Sequence, residues 1–108
     1  MKKPSLMDRL RLKKATRNSV VGVGWYDENN WERVKLAATD SEIFETSYSE
    51  WLEIALAALS DIRKTGINAV QFYIVADELI TWCQVNEKPN NAVYRAEFVA
   101  EKLPLKLN

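Results

Sequence analysis

The segment from Ser47 to Gly66 constrains the fold most, because it carries a complete set of helix signals. Ser47 and Glu50 form a capping box, S-x-x-E, at its start, and Gly66 supplies a left-handed stop at its end. Between these signals apolar side chains recur at i, i+3 and i+4 over a broad face. The sequence therefore predicts a long helix, and the breadth of its apolar face predicts a central position in the core.

Shorter segments on both sides predict the remaining elements. The β-branched run of residues 19–26 predicts a strand that ends at two glycines, and Asp27 can cap a helix from Glu28 to about Thr39. Alternation over residues 68–75 predicts a second strand, and a helix opened by acidic residues follows from residue 77 to about residue 86. Asn90 is a good N-cap for a last helix that Pro104 would end at Leu103.

Together these segments predict an α+β fold, a mainly helical single domain of about four helices with a minor two-stranded β element. A length of 108 residues fits one domain. We expect the compact α+β domain to span residues 19–108 and to follow a basic, mobile N-terminal arm of residues 1–18.

Charge separates the arm from the domain, although the formal net charge is zero. The first 17 residues hold seven basic side chains and one acid, a net +6, while the remaining 91 residues hold eight basic and 14 acidic ones, a net −6. The candidate contacts of the arm to a nucleic acid or an acidic partner are Lys2, Lys3, Arg9, Arg11, Lys13, Lys14 and Arg17. Phosphates, an anionic membrane surface, an acidic protein patch and the protein's own acidic body all fit this charge, as does a solvated tail.

Histidine is absent from the chain, which removes the commonest general base and metal ligand. Cys83 is the only cysteine, so an intrachain disulfide is excluded and a reducing compartment, the cytoplasm, is expected. No run has the roughly 18 apolar residues of a membrane span, and we expect no secretory signal. We predict neither catalysis nor a cofactor, a metal or a small-molecule ligand.

Three local patterns allow a functional and a structural interpretation. Gly22-x-Gly24 lacks the third glycine of a dinucleotide fingerprint, because Asp27 stands there, so a bend before Trp25 is favoured. The acids Asp40, Glu42 and Glu45 could bind a hard cation but match no EF-hand spacing, which favours a solvated acidic loop. Cys83 lies mid-helix on an apolar face, which favours a buried structural cysteine over a reactive thiol.

The last two helices have the outline of a helix-turn-helix. A recognition helix presents cations and amides to base edges, whereas this one carries Glu97 and Glu101 beside Arg95 and Lys102. A plain helical hairpin of the core is therefore the favoured interpretation.

Most of the aromatic residues fall on helical stripes, where core packing accounts for them. Trp25, Tyr26 and Tyr73 have the least certain direction. If they are exposed together, they would form an interaction patch.

The chain also carries a set of dispersed motifs: Trp25-Tyr26 with Trp31, Tyr48-x-x-Trp51, Asp77-Glu78-Leu79 with Trp82-Cys83, and Pro89-Asn90 with Arg95-Ala96-x-Phe98-Val99-Ala100. In these motifs the chain resembles a family of small uncharacterised bacterial proteins of unknown function. The resemblance covers roughly residues 22–103 and implies a bacterial cytoplasmic protein, but it carries over no catalytic residue.

The sequence thus favours a non-catalytic protein–protein interaction module, self-associating or binding another protein through an apolar-aromatic surface. The alternative is a nucleic-acid-binding protein that uses the basic arm, with an affinity that falls steeply with salt. A carboxylate enzyme, the third hypothesis, would need two acids that converge in a cleft.

Overall fold

Two parallel strands form the middle layer of the structure. The computed structural model describes the backbone of residues 20–107 and the side chains of residues 20–104. Strand β1 is Val20–Trp25 and strand β2 is Asn68–Tyr73. They pair in parallel with Val20 opposite Asn68 and Trp25 opposite Tyr73. A parallel pair requires a crossover connection, and here the crossover holds two helices.

Four α-helices accompany this sheet within residues 20–107. They are α1, Glu28–Ala37; α2, Tyr48–Lys64; α3, Ala76–Val85; and α4, Ala92–Leu107. A short 3-10 turn, Ser41–Ile43, lies between α1 and α2. These elements confirm the predicted mainly helical α+β domain and its two-stranded β element. The division into arm and domain stays a prediction, because residues 1–19 lie outside the described part of the chain.

Helices cover both faces of the sheet. On one face Trp25 of β1 meets Trp51 of α2, with ring centroids 5.2 Å apart. On the other face Phe72 of β2 meets Phe98 of α4 at 6.2 Å. Since successive side chains of a strand point to opposite faces, the two strands contribute to both packing layers. Helices α1 and α3 pack against each other beside them.

The prediction that α2 lies at the centre of the core is wrong. One stripe of the helix is buried, including Ala55 and Ile62, both fully inaccessible. Ile54 and Leu56 flank that stripe and are 45% and 52% exposed. The broad apolar face is therefore covered only along its middle, and the sheet occupies the centre instead.

Gly22 and Gly24 lie inside β1 and not in a bend. A Cβ atom built on Gly22 would lie 2.7 Å from Val99 Cγ1 and 3.0 Å from Leu103 Cδ2 of α4. A Cβ atom on Gly24 would lie 3.0 Å from Ile74 Cδ1. The glycines allow α4 to approach the backbone of β1 closely, which is a packing role and not a nucleotide-binding one.

Most helix ends follow the predicted signals. The Asp27 carboxylate accepts a hydrogen bond from Asn30 N at 2.8 Å, and Ser47 Oγ accepts one from Glu50 N at 3.2 Å. Gly66 takes a left-handed φ of 90° just after α2. Glu87 takes the same left-handed conformation after α3, with a φ of 53°. The sequence did not predict this, because glycine or asparagine is the usual residue at such a position.

Both predicted ends of the last helix are displaced. Asn91, and not Asn90, caps α4, since its Oδ1 accepts a hydrogen bond from Tyr94 N at 3.1 Å. Asn90 is buried and accepts from the guanidinium of Arg95 instead. At the other end, α4 continues through Pro104 to Leu107. Proline has a φ compatible with a helix, so the helix continues through Pro104 although this residue has no N–H group to donate.

Candidate functional site

The three aromatic residues considered for an exposed patch do not lie together at the surface. Trp25 and Tyr26 are 3% and 7% exposed, whereas Tyr73 is 61% exposed. Both buried rings meet Trp51 edge-on, at centroid distances of 5.2 and 5.4 Å. Trp25 and Tyr26 therefore belong to the core, because they fill the space between the sheet and α2, and only Tyr73 is open to solvent.

The seven cations of the arm lie outside the described residues. Their contacts to a nucleic acid or an acidic partner stay a prediction.

A groove between α3 and α4 is the concave feature that best combines apolar and charged groups. Its volume is about 680 Å³ and it is open to solvent. Its walls are formed by Asp77, Glu78, Thr81, Trp82, Val85 and Asn86 of α3 and its C-cap and by Phe98, Glu101 and Lys102 of α4. We call this feature the α3–α4 groove.

The floor of the α3–α4 groove is apolar. Trp82 and Phe98 meet edge-on, with ring centroids 5.6 Å apart, and they are 8% and 1% exposed. Val85, one helical turn from Trp82, is 75% exposed at the end of α3. An exposed valine beside aromatic rings gives apolar surface that a partner could remove from water.

Carboxylates dominate the charge around this floor. Asp77 and Glu78 lie in the first turn of α3, and Glu101 lies on α4 across the groove, with Lys102 beside it. Arg33 of α1 forms an ion pair with Asp77. Of the three groove carboxylates, Asp77 and Glu101 thus each have a cation within ion-pair distance, whereas no ion pair joins Glu78 to another described residue.

One hydrogen bond sets the geometry of the groove. Trp82 Nε1 donates to Glu101 Oε2 at 2.9 Å, which joins the floor to the rim and ties α3 to α4. Glu101 Oε1 lies 4.0 Å from Lys102 Nζ. An indole N–H needs such an acceptor when its ring is buried, so Glu101 has a structural as well as an electrostatic role.

The site escaped sequence reasoning because its residues also fit a core stripe. Trp82 follows Leu79 at the spacing of a buried face, and no local signal shows that α4 leaves its rim uncovered. Val85 was the available sign of an exposed apolar surface. It stands three residues after Trp82 at the end of the predicted helix, between the polar residues Gln84 and Asn86.

The acidic loop between α1 and α2 is structural and not solvated as expected. Asp40 accepts hydrogen bonds from the Arg95 guanidinium through both carboxylate oxygens and from Ala92 N at 2.8 Å. Glu45 is 3% exposed, whereas Glu42 is exposed. Asp40 thus neutralises a buried cation and occupies the positive end of α4.

The environment of Cys83 is that of a core residue. Its side chain is 5% exposed, and burial raises the pKa of the thiol although the charge of Arg95 acts in the opposite direction. A raised pKa reduces the thiolate fraction at neutral pH and with it the nucleophilicity.

A smaller depression lies on α2. It is lined by Leu56, Leu59, Ser60, Arg63 and Lys64 and has a volume of about 400 Å³. Its charged residues are both basic, and Arg63 Nε is already bound to the carbonyl of Ala69 at 3.0 Å. This depression lacks the aromatic floor of the α3–α4 groove.

Within residues 20–107 no helix combines the length and the apolar character needed to cross a membrane. In the same part of the chain, no three Cys, Asp or Glu side chains are grouped so that they could hold a metal ion.

Comparison with protein-family models, with curated proteins and with solved structures finds no match to this chain. The resemblance to a family of small bacterial proteins therefore stays a prediction.

Proposed function

We propose that this protein is a non-catalytic, cytoplasmic interaction module whose α3–α4 groove binds a basic, partly apolar segment of another protein. The observation that carries the proposal is the combination of a Trp82–Phe98 floor with the carboxylates of Glu78 and Glu101 at the rim.

The apolar part of such a segment would cover Val85 and the accessible edge of Trp82. Burial of apolar area contributes about 25 cal/mol per Å², so a few aliphatic side chains on this floor supply the attraction. Protein interfaces commonly have an apolar centre surrounded by a polar rim, and Val85 with the charged residues around the floor matches this arrangement.

The cationic part of the segment would face Glu78 and Glu101. Exposed charge pairs contribute little affinity but select partners of opposite sign and speed up association. An acidic segment would be repelled by the same carboxylates, so the groove discriminates by charge.

The test uses the full-length protein and a fluorescein-labelled Leu–Lys amphipathic peptide of about 14 residues, which spans about 20 Å as a helix. Fluorescence anisotropy should show binding that weakens as salt is raised from about 0.05 to 1 M, because the Debye length falls to about 3 Å. A Leu–Glu peptide of the same pattern should not bind.

Matched variants assign the binding to the groove. The double variant Glu78→Gln/Glu101→Gln removes two charges but keeps an acceptor for Trp82, and it should weaken binding about threefold to tenfold. Glu53→Gln, at an exposed position of α2 outside the groove lining, is the control for loss of charge. Val85→Gln should weaken binding, and Leu36→Gln, at a 90% exposed position of α1, is its apolar control. Equal effects of the groove and control variants would refute the proposal.

A further inference from the structure

Opposite charges are divided between the described body of the chain and the segment that precedes it. Residues 20–107 contain eight basic and 14 acidic side chains, a net −6, and residues 1–17 carry a net +6. A segment of this charge joined to a body of equal and opposite charge is held near it at a high effective concentration.

The described chain begins at the half of α4 that carries the rim of the α3–α4 groove. β1 lies against α4 so that Gly22 faces Val99 and Leu103, near the C-terminal half of the helix. Gly24 faces Val99 and not Leu103, so β1 runs antiparallel to α4 and Val20 is at the Leu103 end. Val20 therefore lies at the same half of α4 that carries the groove rim.

The groove occupies the neighbouring face of the same helix half. Phe98 and Lys102 point about 100° around the helix axis from Val99 and Leu103, given about 100° per residue. A chain that leaves β1 at Val20 has only to pass around α4 to enter the groove.

The segment is long enough for this path. Nineteen residues precede Val20 and span up to about 60 Å when extended or about 28 Å as a helix. The longest extent of the structure is 35 Å. The extended length exceeds this extent, so the segment can reach the groove from the start of β1.

The composition of the segment matches the chemistry of the groove. Leu6, Met7, Leu10 and Leu12 are among its apolar residues of a size that would cover the floor. Arg9 and Lys13 alternate with them and would face the carboxylates at the rim. These are the two kinds of group that the groove is proposed to bind.

We propose that the α3–α4 groove binds the chain's own N-terminal arm, residues 1–18 of the same molecule, which thereby competes with an external partner. This inference rests on the proposed function, since both use one groove. Release of the arm would expose the binding site, so the arm acts as an autoinhibitory segment.

Cross-linking of the full-length protein tests the contact directly. A water-soluble carbodiimide joins amines to carboxylates that are in contact, and mass spectrometry identifies the joined residues. We expect the arm lysines, above all Lys13 and Lys14, to be joined to Glu78, Glu101 or Asp77, and the yield to fall in about 1 M salt. Cross-links of the arm mainly to Glu53 or Asp61 on α2, or none at all, would overturn the proposal.

An isotope mixture identifies which molecule supplies the arm. Equal amounts of ¹⁵N-labelled and unlabelled protein should give groove–arm cross-links without mixed isotope pairs. Mixed pairs at the statistical frequency would show that the arm comes from a second copy and would overturn the intramolecular proposal.

Competition separates failure of this inference from failure of the proposed function. In the variant Lys13→Glu/Lys14→Glu/Arg17→Glu the Leu–Lys peptide should bind about tenfold more tightly, if the arm fills the groove in about 90% of molecules. Unchanged peptide affinity, with binding still lost in Glu78→Gln/Glu101→Gln, would refute the arm as occupant and leave the groove as a binding site. No peptide binding to either protein would refute both the proposed function and the competition, and groove–arm cross-links would then support only the contact between the arm and the groove.

Discussion

Asp40 and Arg95, 55 positions apart in the chain, form a two-pronged ion pair in which each guanidinium nitrogen lies 2.9 Å from its own carboxylate oxygen. Their side chains are only 17% and 9% exposed. The pair joins the loop after α1 to the first turn of α4. It is a long-range polar link that helps to fix α4, and with it one wall of the groove.

Loss of either member of this pair should destabilise the protein strongly. Asp40→Asn or Arg95→Met leaves a buried charge without its partner, and each should lower the free energy of unfolding by about 3 kcal/mol. The double variant should cost less than the sum of the two single variants. Urea unfolding followed by circular dichroism measures this. Asp61→Asn, at an exposed pair with Lys64, is the control and should change stability by less than about 0.5 kcal/mol.

Gly22 should tolerate no side chain. The Cβ of Gly22→Ala would meet Val99 Cγ1 at 2.7 Å, and a β-branched side chain on a helix cannot turn away easily. Overpacking of this kind costs about 1–3 kcal/mol. Thermal unfolding should show a smaller loss for Gly24→Ala, whose contact at 3.0 Å is the flexible end of Ile74. An equal or greater loss at Gly24 would contradict this packing.

Glu87→Gly should stabilise the protein. Glu87 has a φ of 53° and ends α3, where Lys88 N donates to Cys83 O at 2.9 Å in a Schellman turn. A left-handed conformation costs a non-glycine residue about 1 kcal/mol or more, and glycine removes that cost. The melting temperature should therefore rise. The reverse change, Gly66→Ala at a φ of 90°, should lower it, and a fall in both variants would be inconsistent with this account.

Stability should decline at alkaline pH partly because of Tyr48. Burial, and then the charges of Asp27, Tyr73 and Glu28, raise the pKa of this phenol above its usual value of 10.0. The neutral phenol is favoured in the folded state, so this contribution is intact below the unfolded pKa and is lost as pH rises through the folded pKa. Urea unfolding between about pH 8 and 11 should show a shallower decline for Tyr48→Phe than for the wild-type protein.

The Tyr48→Phe variant also has a measurable cost at neutral pH. It removes the hydrogen bond that Tyr48 Oη donates to the carbonyl of Tyr26 at 2.9 Å, which should lower stability by about 1 kcal/mol. Parallel pH profiles of the two proteins would show that Tyr48 does not contribute to the alkaline decline.

The elements that sequence reasoning found are those with local causes. The caps at Asp27 and Ser47 and the stop at Gly66 act within a few residues, so residue type is sufficient to locate them. Glu87 shows the limit, because its left-handed conformation is imposed by the α3–α4 connection and not by its own preference.

The predictions that were wrong concern features that depend on residues far away in the sequence. Asn90 and Asn91 are equivalent as caps in sequence, and Arg95 and Thr39 engage Asn90, so Asn91 becomes the cap. Similarly, the broad apolar face of α2 did not reveal that no other described element covers Ile54 and Leu56, which are exposed. The groove depends on the same kind of information, namely how far α4 stands from α3.

The parallel pairing of β1 with β2 also affects how the chain can fold as it is synthesised. β1 emerges from the ribosome before its partners, because the strand that pairs with it begins at Asn68 and the helix that covers Gly22 begins at Ala92. β1, whose Val23 is fully buried in the folded structure, can therefore be covered on both faces only after α4 has been synthesised. Nascent chains that stall before α4 should expose this strand and be substrates for chaperones or proteases.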